Sequence, residues 1–205
     1  MPLTLVIDTA TAACSVALIE DGRVIDARHD VVGRGHAERL VPMIADLADG
    51  GRAEAILVDV GPGSFTGIRV GIAAARGLGL GWNVPVAGYS SMALVAAAAL
   101  ARGIASPLAV VLEGGHGEVF MQTFAASPFA ALDDLASRRP DAALEALAGK
   151  PAVGSGTRWL APLDAALMLH EALPVAADAI LLPEAFTTLP ARPLYGRAPD
   201  AKLPS

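Results

Sequence analysis

The first hundred residues set three strand-like runs in a row and then alternate helix with strand, an order that few folds accommodate. Leu3-Thr4-Leu5-Val6-Ile7-Asp8 is an apolar run of strand length, and Cys14-Ser15-Val16-Ala17-Leu18-Ile19 is a second. Arg23-Val24-Ile25-Asp26-Ala27-Arg28 is a third, with Asp21-Gly22 ahead of it as a two-residue hairpin signal. From His36 the period changes: Leu40, Ile44 and Leu47 recur at helical spacing, with Val41 and Met43 beside them, until Gly50-Gly51 closes the segment. Ala55 to Val60 is apolar almost throughout and runs into Gly61-Pro62-Gly63, the pattern of a central strand feeding a tight loop. A helix is expected from Ser64-Phe65-Thr66 to Leu80, with Thr66 as its N-cap. Gly71, Gly77 and Gly79 inside it each cost about 0.5–1 kcal/mol relative to Ala, and close packing against another helix is the expected reason. A strand at Val84 to Ala87 and an Ala-rich helix from Ser90 to Arg102 end this half.

The second half carries fewer signals. Leu108 to Leu112 and Glu118 to Phe124 read as an antiparallel pair around Gly114-Gly115-His116-Gly117. Asp141 to Ala148 reads as a short helix behind Pro140, Thr157 to Leu169 as another, and the proline-rich tail from Pro183 as an extended arm. Gly103 to Pro107 is the expected hinge between residues 1–103 and 104–205. Strand, strand, strand, helix, strand, helix is the order of a ribonuclease-H-like unit. The expected fold class is therefore α/β, with two such subdomains, the second a reduced copy of the first.

Composition removes several functions. Fifteen Lys plus Arg against 21 Asp plus Glu leave a net charge of −6, the wrong sign for a protein that neutralises phosphates. Aromatic residues are 4% of the chain, too few for a base-stacking platform. Cys14 is the single cysteine, so neither a disulfide framework nor a Cys-rich zinc site is expected, and a reducing cytoplasm is the simplest home. Met1-Pro2-Leu3-Thr4 lacks the basic start of a signal peptide, and the apolar run Met92 to Ala101 is too short to span a bilayer, so no membrane partner is expected.

The candidate chemistry lies in two loops. Asp8-Thr9-Ala10-Thr11 follows the first strand directly, and a carboxylate there beside small hydroxylated residues is suited to a metal and a phosphate. The same residues also satisfy backbone groups in a turn, and the tetrapeptide alone favours that plainer role. Gly61 to Gly67 enters a helix N-terminus, an anion site through its free amides; Gly63, Ser64 and Thr66 would be the phosphate-proximal residues. It is not a P-loop, since no Lys follows the last glycine, and a turn role with Phe65 plugging the core fits equally well. No two of His29, His36, His116 and His170 share the i, i+4 spacing of a metal pair, and His36 reads as an exposed or capping residue. Cys14 reads as a small buried hydrophobe, and Ser64 lacks a nucleophile elbow. A metallopeptidase would need a metal triad that is not visible.

Three segments together resemble the TsaB (YeaZ) family: Ile7 to Leu18, His36-Ala37-Glu38-Arg39-Leu40-Val41-Pro42, and Gly61-Pro62-Gly63-Ser64-Phe65-Thr66-Gly67-Ile68-Arg69-Val70-Gly71. The tail Pro193-Leu194-Tyr195-Gly196-Arg197 is similar to the family's closing P-x-Y-x-R motif, so the likeness runs over essentially the whole chain. The resemblance implies an actin-like, two-lobed ASKHA fold and a noncatalytic role in forming threonylcarbamoyladenosine beside the tRNA anticodon. The implied partners are TsaD, which transfers the carbamoyl group, and the ATPase TsaE, with a homodimer when the chain is alone and tRNA met through the complex. No cofactor of the chain's own is implied; ATP or ADP and magnesium would belong to the assembled complex. Ser91 and Val95 stand where TsaD carries two metal-binding histidines, so a TsaD-like metal centre is lost.

In the family two helices pack against the partner as a bundle, and they correspond to His36–Ala48 and Gly67–Leu80 here. The expected interface residues are His36, Leu40, Met43, Ile44, Leu47, Arg69, Ile72, Ala73 and Arg76. The same stripe also reads as the core side of amphipathic helices. Many relatives read Asp-Ala-Arg-Arg where this chain reads Glu113-Gly114-Gly115-His116, which puts any anion contact of that hairpin in doubt. The alternative function is an ASKHA ATPase or phosphotransferase acting on its own, with Asp8 for magnesium. Gly154-Ser155-Gly156-Thr157 is its only candidate for a second phosphate loop.

Overall fold

A computed structural model describes residues 2–196. The three opening runs are strands β1 (Thr4–Asp8), β2 (Ala13–Glu20) and β3 (Arg23–Val31), the last two joined by Asp21 and Gly22, both at positive φ as a primed hairpin turn requires. Helix α1 (His36–Ala45), β4 (Ala55–Asp59), α2 (Phe65–Trp82), β5 (Val86–Tyr89) and α3 (Ser91–Ala101) complete the first lobe. β1 pairs antiparallel with β2 and parallel with β4, and β4 runs parallel to β5. The spatial order β3-β2-β1-β4-β5 is the ribonuclease-H-like order.

The second lobe repeats it. β6 (Leu108–Gly115) and β7 (Glu118–Ala126) are antiparallel, and β7 pairs with β8 (Phe129–Ala131) and β9 (Ala136–Arg138). After α4 (Pro140–Leu147), β10 (Ala152–Val153) joins the other edge of β6 in parallel. The turn of helix α5 (Thr157–Leu160) leads to β11 (Leu169–His170), parallel to β10. The protein is thus an α/β fold of the actin-like ASKHA kind, two ribonuclease-H-like lobes with the second reduced to two-residue strands on one side.

The expected helix over Thr157–Leu169 lasts one turn, because Pro162 offers no amide to continue it, and Leu169 is drawn into the sheet. The tail is not a free arm either. Leu189–Pro190 forms β12 at the edge of the first sheet, antiparallel to β5, so that sheet draws a strand from beyond residue 104. The part of the closing motif from Arg197 on lies outside the described residues.

The period-2 alternation of β1 divides the core. Leu5 and Ile7 face α1 and α2, whereas Val6 faces α3. α3 is buried along most of its length between the two sheets, packed by Val6 and Leu57 on one side and Val110 and Leu112 on the other. That position explains its uniformly apolar sequence. Each fully buried Leu, Ile or Phe contributes roughly 1.5–3 kcal/mol.

Candidate functional site

β1 and β4 end side by side, and Asp8 and Asp59 stand at their carboxyl ends, both fully buried. The two carboxyls are in hydrogen-bonding contact with each other. Asp8 accepts from the Ala10 amide at 3.2 Å and the Tyr89 hydroxyl at 3.1 Å, and Asp59 from the Gly61 amide and the Ser91 hydroxyl, each at 2.6 Å. Among the described residues no Lys or Arg bonds either group. Burial raises the pKa of Asp8, and burial followed by the Asp8 charge pushes that of Asp59 well above the carboxylate range. Burial together with these two carboxyls keeps Tyr89 protonated, as a donor.

The two candidate phosphate loops are bonded to one another. Thr9 Oγ1 donates to the Gly67 carbonyl at 2.7 Å, and the Ser64 amide donates to the Ala10 carbonyl at 2.6 Å. A Cβ on Gly63 would lie 2.0 Å from the Ala10 oxygen, and one on Gly67 2.0 Å from the Thr9 oxygen. Gly71 and Gly79 do the same against the Thr9 hydroxyl and the Val86 side chain. The helix glycines therefore seat α2 on strand ends and not on another helix, which corrects the expected packing; Gly77 faces open space. The N-cap is also two residues earlier than expected: Ser64 Oγ accepts the Gly67 amide at 3.2 Å, and Thr66 is exposed. Thr11, at the cleft, accepts the Ala13 amide at 3.3 Å.

The second lobe closes in the same manner. A Cβ on Gly154 would meet the Val111 carbonyl at 2.3 Å, the Gly156 amide donates to that carbonyl at 2.9 Å, and Thr157 Oγ1 donates to the Gly154 carbonyl at 2.7 Å. In each lobe the glycine loop is packed against a strand end on one side, while Gly63, Ser64 and Ser155 line the space between the lobes on the other. Asp8 has both oxygens occupied, and every buried side-chain nitrogen or oxygen among the described residues has a partner. The residues present do not fit a magnesium nucleotide at Asp8.

Between the lobes lies a cleft of about 980 Å³, walled by Ala10–Ala12 and the start of α2 on one side and by the Glu113–His116 hairpin on the other. The tail crosses its mouth: the Leu194 amide bonds the Val60 carbonyl at 2.7 Å, and Gly196 rests on the Phe120 ring. Phe65 does not plug the core as expected. It is half exposed, stacked on Tyr195 at 5.7 Å between centroids, with the Arg69 guanidinium 3.6 Å over its ring and bonded to the Tyr195 hydroxyl. Glu113 is held by Arg158 and Trp159.

The interface residues separate into two groups. Leu40, Met43, Ile44, Leu47 and Ile72 are each at most 5% exposed, packed in one cluster against the sheet, so they form the core side of their helices and do not present a contact surface. His36 is buried, its Nε2 on the Ala13 carbonyl at 3.1 Å, and is neither exposed nor a surface contact. Arg69, Ala73 and Arg76 do face outward. With them stand residues that the periodicity passed over: Val41 at 61% exposure and Leu80 at 86%, with Pro42, Ala45 and Gly77. The exposed apolar residue opposite the core stripe was the signal available for them. Ser91 and Val95 are buried, and the Ser91 hydroxyl serves Asp59.

Comparison with known proteins agrees with this architecture. The family model described as "TsaD: tRNA N6-adenosine threonylcarbamoyltransferase" matches residues 29–153. The tRNA threonylcarbamoyladenosine biosynthesis protein TsaB of Escherichia coli is 40% identical over 121 residues, 57% of this chain and 52% of that protein. An uncharacterized protein of Mycobacterium tuberculosis is 32% identical over 97% of this chain and 93% of its own. YeaZ from Pseudomonas aeruginosa superposes with a TM-score of 0.78 at 28% identity, over 95% of this chain and all of that one. The match spans about half the length of the TsaB proteins of E. coli and Haemophilus influenzae, at 52% and 51%.

Proposed function

The chain belongs to the TsaB (YeaZ) family, and from that premise we propose that it is a noncatalytic subunit that binds TsaD and holds it in its active arrangement for threonylcarbamoyladenosine formation on tRNA. A partner shifts an enzyme only by binding one of its states better than another, so the chain needs a contact surface and no reactive group. The observation that carries this reading is the outer face of α1 and α2. Val41, Pro42 and Ala45 on one helix and Ala73, Gly77 and Leu80 on the other leave apolar surface uncovered, with Arg69 and Arg76 as cations among it. Arg amid apolar residues suits an interface anchor. The same face would serve a second copy when TsaD is absent, and TsaE, tRNA, ATP or ADP and magnesium would join at the level of the cytoplasmic complex.

The independent phosphotransferase reading loses support because Asp8 is fully buried. Among the described residues no helix is long and apolar enough to cross a membrane. The test is reconstitution: cognate TsaD and TsaE, given ATP, magnesium and an activated threonylcarbamoyl donor, modify tRNA in the presence of the wild-type chain and lose most of that activity with Arg76→Glu. Full activity with Arg76→Glu and with Leu80→Glu, or without the chain, contradicts the proposal.

A further inference from the structure

Two carboxyl groups buried side by side cannot both be ionised unless a cation stands between them, because like charges in contact at low dielectric repel strongly and neither is hydrated. Among the described residues every donor to Asp8 and Asp59 is neutral: the amides of Ala10 and Gly61 and the hydroxyls of Tyr89 and Ser91. The other titratable groups that act on the pair from packed elements are Cys14 on β2, a thiol, and His29 on β3, which acts on Asp8 at a distance without bonding it. Each of the four carboxyl oxygens accepts one hydrogen bond from a neutral donor, and where the two carboxyls touch each other none of these donors lies between them.

We infer that Asp8 and Asp59 hold one proton between them, which takes the place that a divalent cation would need at this strand end. The proton joins β1 to β4 directly. Through Gly61, Ser91 and Ala10 it also ties the loop before α2, the start of α3 and the loop after β1 into one unit. The pair therefore seats the root of α2 and excludes metal from Asp8, so the lobe is organised by a bound proton where a phosphotransferase would use a metal.

The test is infrared spectroscopy of the full chain, with aspartate carrying a carbon isotope label, at neutral pH. The account expects the C=O stretch of a protonated carboxylic acid, shifted by deuterium, in the wild type and its loss in Asp59→Asn. In parallel, electron paramagnetic resonance of added Mn²⁺ should show the metal remaining free. A wild-type spectrum without the acid band overturns the inference, even should Asp59→Asn fail to fold. So does a band that persists in folded Asp59→Asn, or Mn²⁺ immobilised by the wild type and released by Asp8→Asn.

Discussion

Thr9 and Gly67 are bonded across the front of the first lobe: the threonine hydroxyl donates to the glycine carbonyl at 2.7 Å, and the Cβ that Gly67 lacks would fall 2.0 Å from the threonine carbonyl oxygen. This contact seats the start of α2 on the end of β1. Because the obstacle is backbone, Gly67→Ala cannot be absorbed by a side-chain rotation. It is expected to cost roughly 1–3 kcal/mol or more, as overpacking does, seen as a lower urea midpoint, whereas Gly77→Ala should leave stability equal or raise it by about 0.5–1 kcal/mol. Equal stability for the two variants would contradict the seating.

The outward face of α2 predicts a separation of folding from association. Leu80→Glu and Arg76→Glu change exposed residues and should shift the unfolding free energy by no more than about 0.5 kcal/mol, while weakening association at least tenfold. Ile72→Glu, 5% exposed, should instead unfold the chain. Thermal melts beside sedimentation velocity distinguish the two behaviours.

The buried carboxyl pair gives a pH dependence with a defined sign. A carboxyl whose folded-state pKa lies above its unfolded value near 3.8 stabilises fully below that pH and progressively less as pH rises towards the folded value. Asp59→Asn removes this loss. The melting temperature of Asp59→Asn minus that of the wild type should therefore grow from about pH 4 to pH 7, and a difference that is flat or falls with pH would contradict the account.

Much of this architecture was legible in the chain. The apolar runs of β1, β2 and β4 and the Asp21-Gly22 turn are local signals, and β3 and α1 to α3 also stood within a few residues of their expected places. What was not legible depends on distance. Asp8 and Asp59 are 51 positions apart, and only the parallel pairing of β1 with β4 makes them neighbours. The helix glycines announced close packing, but whether strand or helix lay opposite depended on which way α2 was turned. Leu40 and Val41 differ by one position and by 1% against 61% exposure, so a stripe of apolar residues fixed the helix without telling its core from its surface. Phe65 stands half exposed and not in the core because its partner, Tyr195, arrives from the far end of the chain.

That last contact is itself measurable. Phe65, Tyr195 and Arg69 form a mutually bonded cluster that pins the tail over the cleft. A double-mutant cycle of Phe65→Ala and Tyr195→Ala should return a coupling of about 0.5–1.5 kcal/mol. Additive effects would mean that the tail is held elsewhere.

Cys14 is fully buried in β2, and burial with the nearby Asp8 charge pushes its thiol up to about 11. Native protein at neutral pH should react with an alkylating reagent only as fast as it unfolds, and urea should expose one equivalent. Rapid labelling of the folded chain would place the thiol at the surface.

The central claim is that the chain works by binding, through the outer face of α1 and α2. Size-exclusion chromatography with light scattering, on the chain alone and mixed with its cognate TsaD, tests it most directly. The account predicts a homodimer that converts to a complex with TsaD, and no such complex with Leu80→Glu or Arg76→Glu that melt like the wild type. A chain that elutes unchanged with TsaD, even with TsaE, ATP and magnesium present, or variants that associate as the wild type does, would contradict it.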